Sequence, residues 1–559
     1  MAAINACLQT NHPQHCPMIQ LSGHIVDVVA GRIYDGIMTL EDGIIRRIEP
    51  AEVVDNQYLV PGLIDAHVHI ESSMMLPSEF ARLALPHGTV ACVSDPHEIA
   101  NVCGVAGIDY LIDNSKTVPL KFYFGAPSCV PATAFETSGA TLDAEAVKSL
   151  LQRNDIHYLG EMMNFPGVLY SDEQVLLKLA AAKEAGKPID GHAPDLSGDD
   201  LRTYVNAGIK TDHECMTVNE ALEKIALGMH ILIREGSAAR NFDTLIPLIA
   251  SNPERIMLCS DDKHPDDLLK NGHINSLVVR ALKLGYDPIT ILRACSLNPI
   301  KHYKLDVGLL QPGDKADFLI VDNLQDFRIT STWIEGQKVA EKGQVLFERI
   351  QPQPPVNAFE AAPITAADLR VEQTGNLITI IVAEDGQLYT RCEQAEPLVV
   401  DNNLVSDTDR DLLKLVVYNR YEPAKPAIGF IKNIGLKRGA LVSTVAHDSH
   451  NIVAVGTSDE LLAAAINRII SSKGGILAMD ETEACLLPLP VGGILSDADG
   501  HAVAQGYEQA DALAKAFGSP LRSPFMTLAF MSLACIPEIK LTDKGLFEIM
   551  KLSYTDLQC

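Results

Sequence analysis

From Val60 to about residue 304 the chain repeats one rhythm, and that rhythm restricts the fold more than any other feature. Short apolar runs alternate with amphipathic helical stretches. Eight of the runs read as strands: LIDAHVHI, TVACVSDP, LKFYFGAPS, IHYLGEMM, PIDGHAP, IKTDHE, HILIREGS and IMLCSDD. Between them lie helical patterns such as SDEQVLLKLAAAKEAG and TVNEALEKIALG. Eight strands, each followed by a helix or a long loop, predict an α/β fold with a (β/α)8 barrel of about 250 residues. A doubly wound open sheet shares the rhythm and is the alternative.

The flanks behave differently. Residues 20–60 contain HIVDVV, GRIYDG, IMTLEDG and IIRRIEP, which alternate apolar and polar residues with Gly or Asp at the bends. Residues 305–345 return to the same character in GLLQPGDKADFLIVDN and STWIEGQKVAEKGQVL. The expected organisation is a small β-domain from 18–60 and 305–350, a catalytic barrel over 61–304, and a C-terminal mixed α/β domain over 360–559. The Pro-rich QPQPPV at Gln351–Val356 reads as the linker before the last of these. A chain of 559 residues exceeds one ordinary core, which fits several domains.

Composition narrows the function. The net charge is −27, so a nucleic-acid polymer, held by Lys and Arg, is not an expected partner. Twelve scattered cysteines include no C-x-x-C pair, which predicts a reducing, cytoplasmic location. The opening MAAINACLQTNHPQHCPM lacks a basic start and an apolar run, so no signal peptide is expected. The longest apolar stretch, Met526 to Ile536, is too short to span a bilayer and stops at Pro537.

The chemistry sits at the strand ends. His67 and His69 are two residues apart, so on a strand they point to one face. Glu161 ends the fourth run, His192 the fifth, His213 the sixth and Asp261 the eighth. Barrel active sites lie at the C-terminal ends of strands, so these residues should converge. Four imidazoles and two carboxylates without a thiolate suit Mn, Fe or Zn, and the residues do not choose among them. Six ligands exceed the need of one ion that keeps a position open, so two ions sharing a carboxylate are expected.

This pattern resembles the amidohydrolase superfamily, as do VPGLIDAHVH and QPGDKADFLIVD at the barrel junctions. Longer words narrow the resemblance. HVHIESSMM, SDPHEIANVCG, GEMMNFPGV, GHAPDLSG, DHECMT, REGSAARN and CSDDKHPDDL, with AHDSHNI and LPLPVGGILSD further on, are similar to the adenine deaminase family. Many amidohydrolases carry a carboxylated Lys after the fourth strand; IHYLGEMMN has no Lys, and the resemblance implies Glu161 as the bridging group. It further implies deamination of free adenine to hypoxanthine and ammonia, and a homodimer. In that reaction Asp261 is the expected proton carrier, taking a proton from water and giving one to the departing amine, with Glu161 the rival if it does not bridge.

Other residues near the strand ends are weaker candidates. Glu71, Ser72 and Ser73 follow the His pair and would contact a purine or cap the loop. Asp95 and His97 end the second run and would serve substrate or structure. Arg234, Glu235 and Ser237 end the seventh, where ion pairing is the plain alternative. Asp262 would orient substrate or cap a turn, and Asp65 would support the site through hydrogen bonds. His447, Asp448 and His450 form a polar cluster that would reach over the barrel mouth or stay within the last domain.

Two other metalloenzyme signatures fail. His69-Ile70-Glu71 imitates the start of the H-x-E zinc deaminase pattern, but no P-C-x-x-C follows anywhere. His97-Glu98 is followed by Ile99-Ala100-Asn101, so there is no H-E-x-x-H. The rival readings are another amidohydrolase acting on a cyclic amide or different amine, and a non-catalytic scaffold on the same barrel.

Overall fold

The computed structural model describes residues 18–559 apart from Val53 and Ala238. The segment read as lacking a signal peptide therefore lies, Met18 aside, outside the described residues.

Eight parallel strands form the barrel: β1 Leu63–Val68, β2 Thr89–Ser94, β3 Lys121–Ala126, β4 Ile156–Met162, β5 Ile189–Gly191, β6 Thr211–Asp212, β7 His230–Arg234 and β8 Ile256–Cys259. β1 to β5 pair in order, and so do β6 to β8. The ring then closes twice. The Lys210 amide donates to the Ile189 carbonyl at 3.1 Å, and the Asp261 amide donates to the His67 carbonyl at 3.0 Å. Closure removes the open-sheet alternative. Every residue of β1, β2 and β8 is buried, as parallel strands covered by helices require. The helices start where capping residues allow. Asp172 accepts from the Val175 amide ahead of Glu173–Glu184, and Thr217 from the Glu220 amide ahead of Val218–Ala226.

The segments before and after the barrel share one sheet. Tyr58–Pro61 pairs in parallel with Ile19–Asp27 and antiparallel with Phe318–Val321. GRIYDG and IMTLEDG, expected as separate strands, run as a single strand Arg32–Glu41 because Gly36 stays extended and pairs with Gly23. Residues 351–356 adopt no regular structure, yet they are anchored: the Gln353 carbonyl accepts from the Tyr110 hydroxyl at 3.0 Å.

The C-terminal part is built on an eight-stranded sheet running from Thr390–Ala395 at one edge to Ala484–Pro488 at the other. Its inner strands are buried on both faces. In Leu413–Tyr418, Leu413, Leu415 and Val417 join the core shared with the barrel, while Val416 and Tyr418 pack under the helix Asp459–Ser472. Each such buried side chain contributes roughly 1.5–3 kcal/mol. The shared core clamps this sheet against the barrel and brings residues 444–450 and 524–537 over the barrel mouth. No helix among the described residues is long and apolar enough to cross a membrane.

Candidate metal centre and its cavity

The six strand-end residues converge. The Nε2 atoms of His67 and His69 lie 3.2 Å apart. Asp261 Oδ1 is 3.6 Å from His67 Nε2 and 3.4 Å from His69 Nε2. Glu161 divides its two oxygens: Oε1 lies 3.2 Å from His69 Nε2, whereas Oε2 lies 2.8 Å from His192 Nδ1 and 3.2 Å from His213 Nε2. A carboxylate offering one oxygen to each of two histidine groups has the form of a bridging ligand.

Local geometry explains why these residues sit here. β4 approaches β2 so closely that a Cβ on Gly160 would meet Asp95 Oδ2 at 2.3 Å. That carboxylate instead accepts from the Glu161 amide at 2.8 Å and sets the turn of Glu161. Gly191 does similar service at β5, where a Cβ would meet the Thr211 carbonyl at 2.3 Å. Asp261 itself has φ +56°, an uncommon backbone for a residue with a side chain and one that concentrates at functional sites.

The donor set fits divalent cations. His69 Nδ1 lies 3.1 Å from the Asp95 carbonyl, which can only accept, so the proton is on Nδ1 and the Nε2 lone pair faces the cluster. His67 is fully buried and its Nδ1 has no partner among the described residues. Burial, then neighbouring His213 and His69, hold His67 well below the ordinary imidazole range, in the neutral form that ligates. Burial also opposes charge on His69 and His213. Without a cation the carboxylates they face outweigh it, raising His69 well above its usual range and His213 to about 9, and a bound cation would take the place of those protons. Buried carboxylates at this density require positive charge, from protons or from metal. Asp65 buttresses the floor, with Oδ2 2.7 Å from His273 Nε2 and Oδ1 accepting from the Ser260 amide at 3.0 Å.

A cavity lies over this floor. His69, Glu161, His192, His213 and Asp261 line it from the barrel, joined by His97, Arg234 and Asp262. Arg234 bonds Asp261 Oδ2 at 2.6 Å and Glu214 Oε2 at 2.7 Å, so it serves the ion-pair role. Burial alone would raise Asp261. Arg234 and His69 outweigh it and hold the carboxyl well below its usual range. His97 Nδ1 stands 3.6 Å from both Asp95 and Glu161.

The other candidates are spent elsewhere. Ser72 donates to Asp262 Oδ1 at 2.5 Å, and Ser73 to the Ile70 carbonyl at 2.6 Å. Glu71 accepts from the Ile99 amide at 3.2 Å, and burial pushes its carboxyl up to about 7. Glu235 pairs with Arg280 at 2.7 Å, and Ser237 donates to Asp267 at 2.8 Å. None of these five lines the cavity.

The C-terminal domain supplies the roof, which the sequence reading only half anticipated. His447 and Asp448 line the cavity with Leu388, Met526, Phe530, Leu533, Cys535 and Ile536. His447 and His450 both bond Glu98, on the helix His97–Ser115 that follows β2. Glu98 and Glu214 were missed, although each stands next to a histidine already singled out. The apolar roof residues carry no motif that would have found them.

Comparison with known proteins agrees with this architecture. Residues 58–339 match the Amidohydrolase family, and residues 387–553 match the Adenine deaminase C-terminal domain. The chain is 52% identical to an adenine deaminase of Methanosarcina mazei over 97% of its own length and 99% of the relative's. It is 51% identical to one from Salinibacter ruber, over 96% of this chain and 98% of the relative. A more distant one, from Borreliella burgdorferi, is 42% identical over 96% of this chain and all of the relative. With one family model over the barrel, another over the domain that roofs it, and relatives about half identical along nearly the whole chain, the chain belongs to the adenine deaminase family of amidohydrolases.

Proposed function

We propose that the chain hydrolyses adenine to hypoxanthine and ammonia in the cavity between the barrel and the C-terminal domain. The observation that carries this reading is the division of Glu161 between two histidine groups, in a chain half identical to adenine deaminases along nearly its whole length. His67, His69, Asp261 and Glu161 Oε1 would hold one divalent ion, and His192, His213 and Glu161 Oε2 a second. Without a thiolate, Mn, Fe and Zn all suit this set. Divalent ions bound there supply Lewis acidity and bring the pKa of water from about 16 toward neutrality.

The protein's own groups do the rest. Water adds at C6 of the base, the bond from C6 to the exocyclic nitrogen breaks, and ammonia leaves. Asp261 takes a proton from the water and delivers one to the departing amine. Arg234 keeps Asp261 ionised at rest, the state a proton acceptor needs. The roof side chains Leu388, Met526, Phe530, Leu533 and Ile536 exclude bulk water.

The domains divide at 18–60 with 305–350, 61–304 and 360–559. A homodimer follows from the family resemblance and is read directly as mass by light scattering. The cytoplasm is the inferred location, in keeping with ten described cysteines that are all free.

The test is turnover by Mn- or Fe-loaded protein, followed as ammonia and hypoxanthine, with adenosine and dihydroorotate alongside. Adenine is expected to be the preferred substrate. Turnover of another compound, with none of adenine, would keep the hydrolase and overturn the substrate.

A further inference from the structure

Most polar groups facing the cavity are already engaged. Asp261 bonds Arg234, Asp262 accepts from Ser72, Glu161 faces imidazoles, and Glu98 faces His447 and His450. Asp448 differs. It is 4% exposed, it lines the cavity, and its Oδ2 has no hydrogen-bond partner among the described residues.

Its position is well fixed. The His447 amide donates to the Ala529 carbonyl at 3.0 Å, and the His450 amide donates to the Ala446 carbonyl at 2.7 Å. The His447 ring stacks on Phe530 at 4.7 Å between centroids. Glu98 ties His447 and His450 to the barrel. Burial, with Glu98 nearby, raises the Asp448 carboxyl to about 6. The free, buried oxygen of this carboxylate is a hydrogen-bond acceptor without a donor among the described residues. Leaving such an oxygen unmatched is costly, so the complementary ligand group is a donor.

The orientation of the base follows from the proposed reaction, on which this inference rests. C6 must meet the floor where Asp261 lies. The five-membered ring then faces the roof. A free purine base carries one N–H on that ring; a base substituted at N9, as in a nucleoside, carries none.

We propose that Asp448 binds the imidazole-ring N–H of the free base, and that this carboxylate selects free purines over N9-substituted ones. The C-terminal domain thereby contributes a substrate-binding residue to a centre whose metal ligands all come from the barrel.

The test measures dissociation constants of purine and 9-methylpurine by calorimetry on metal-loaded protein. Neither ligand has an exocyclic amine to lose. Wild type should bind purine at least about tenfold more tightly than 9-methylpurine. Asp448→Ala and Asp448→Leu should each shrink that preference about fivefold or more, chiefly by weakening purine. The Leu variant fills the space of Asp without offering an acceptor and decides the matter alone if the Ala variant does not fold. A wild-type preference in Asp448→Leu would mean that shape excludes the methyl group, and would overturn the proposal. So would equal weakening of both ligands, which marks a general loosening of the roof. Adenine turnover by wild type is scored separately, so loss of the deaminase reading is distinguishable from loss of this one.

Discussion

Two clusters of histidine and carboxylate border one cavity, on its floor and in its roof, and they are built on opposite hydrogen-bond polarity. On the floor, Nδ1 of His69 faces a backbone carbonyl, so its Nε2 presents a lone pair to the cluster. In the roof, Nδ1 of His450 accepts from the Ala446 amide at 3.2 Å, so its Nε2 must carry the proton and donates it to Glu98. The first arrangement accumulates lone pairs and carboxylates and attracts a cation. The second satisfies a buried carboxylate with N–H donors and needs no metal. Residue composition and close spacing are alike in the two, since either group could hold an ion by proximity alone. The partner of the remote ring nitrogen separates them.

The comparison breaks most visibly on the floor. His67→Ala removes a proposed ligand, and alanine cannot restore the lone pair. Metal content should fall below half of wild type. Turnover should drop by more than about a thousandfold, the equivalent of the several kcal/mol that metal chemistry supplies. A His67→Ala protein with full metal content would show that the ions lie elsewhere. Asp261→Asn should be somewhat milder. Removing a proton carrier costs about a hundred- to ten-thousandfold in kcat. Near-normal kcat would remove Asp261 from the proton path and move that role toward Glu161.

The floor was legible in the sequence because each part is local. His67 and His69 share one face through strand alternation, and Glu161, His192, His213 and Asp261 stand where apolar runs end. The barrel rhythm then says where those ends meet. Even Gly160 and Gly191 lie inside the words that carry the candidate ligands. The roof is different in kind. Leu388, Asp448 and Phe530 come from three distant segments, and only the shared core of the C-terminal sheet and the barrel brings them together. AHDSHNI is conspicuous as a polar word, yet nothing in it says that Glu98 is its partner. Glu235 and Ser237 show the reverse error. They sit beside Arg234 in sequence, but strand alternation and the loop after β7 turn them toward Arg280 and Asp267.

The smallest expected effect sharpens the contrast most. Glu98→Gln keeps the shape of the carboxylate but replaces one acceptor oxygen with a donor. One of the two imidazole N–H groups would then oppose another donor. Leaving a buried polar group unsatisfied costs about 1–3 kcal/mol, which should appear as a lower denaturation midpoint. Activity should fall by about tenfold at most, through a loosened His447–His450 segment and not through the reacting groups. The decisive reading is metal analysis. If Glu98, His447 and His450 form a hydrogen-bonded clasp, Glu98→Gln retains the wild-type metal content. Loss of a whole equivalent of metal would instead make this cluster a metal site, and the polarity inferred from the bond between Ala446 and His450 would be wrong.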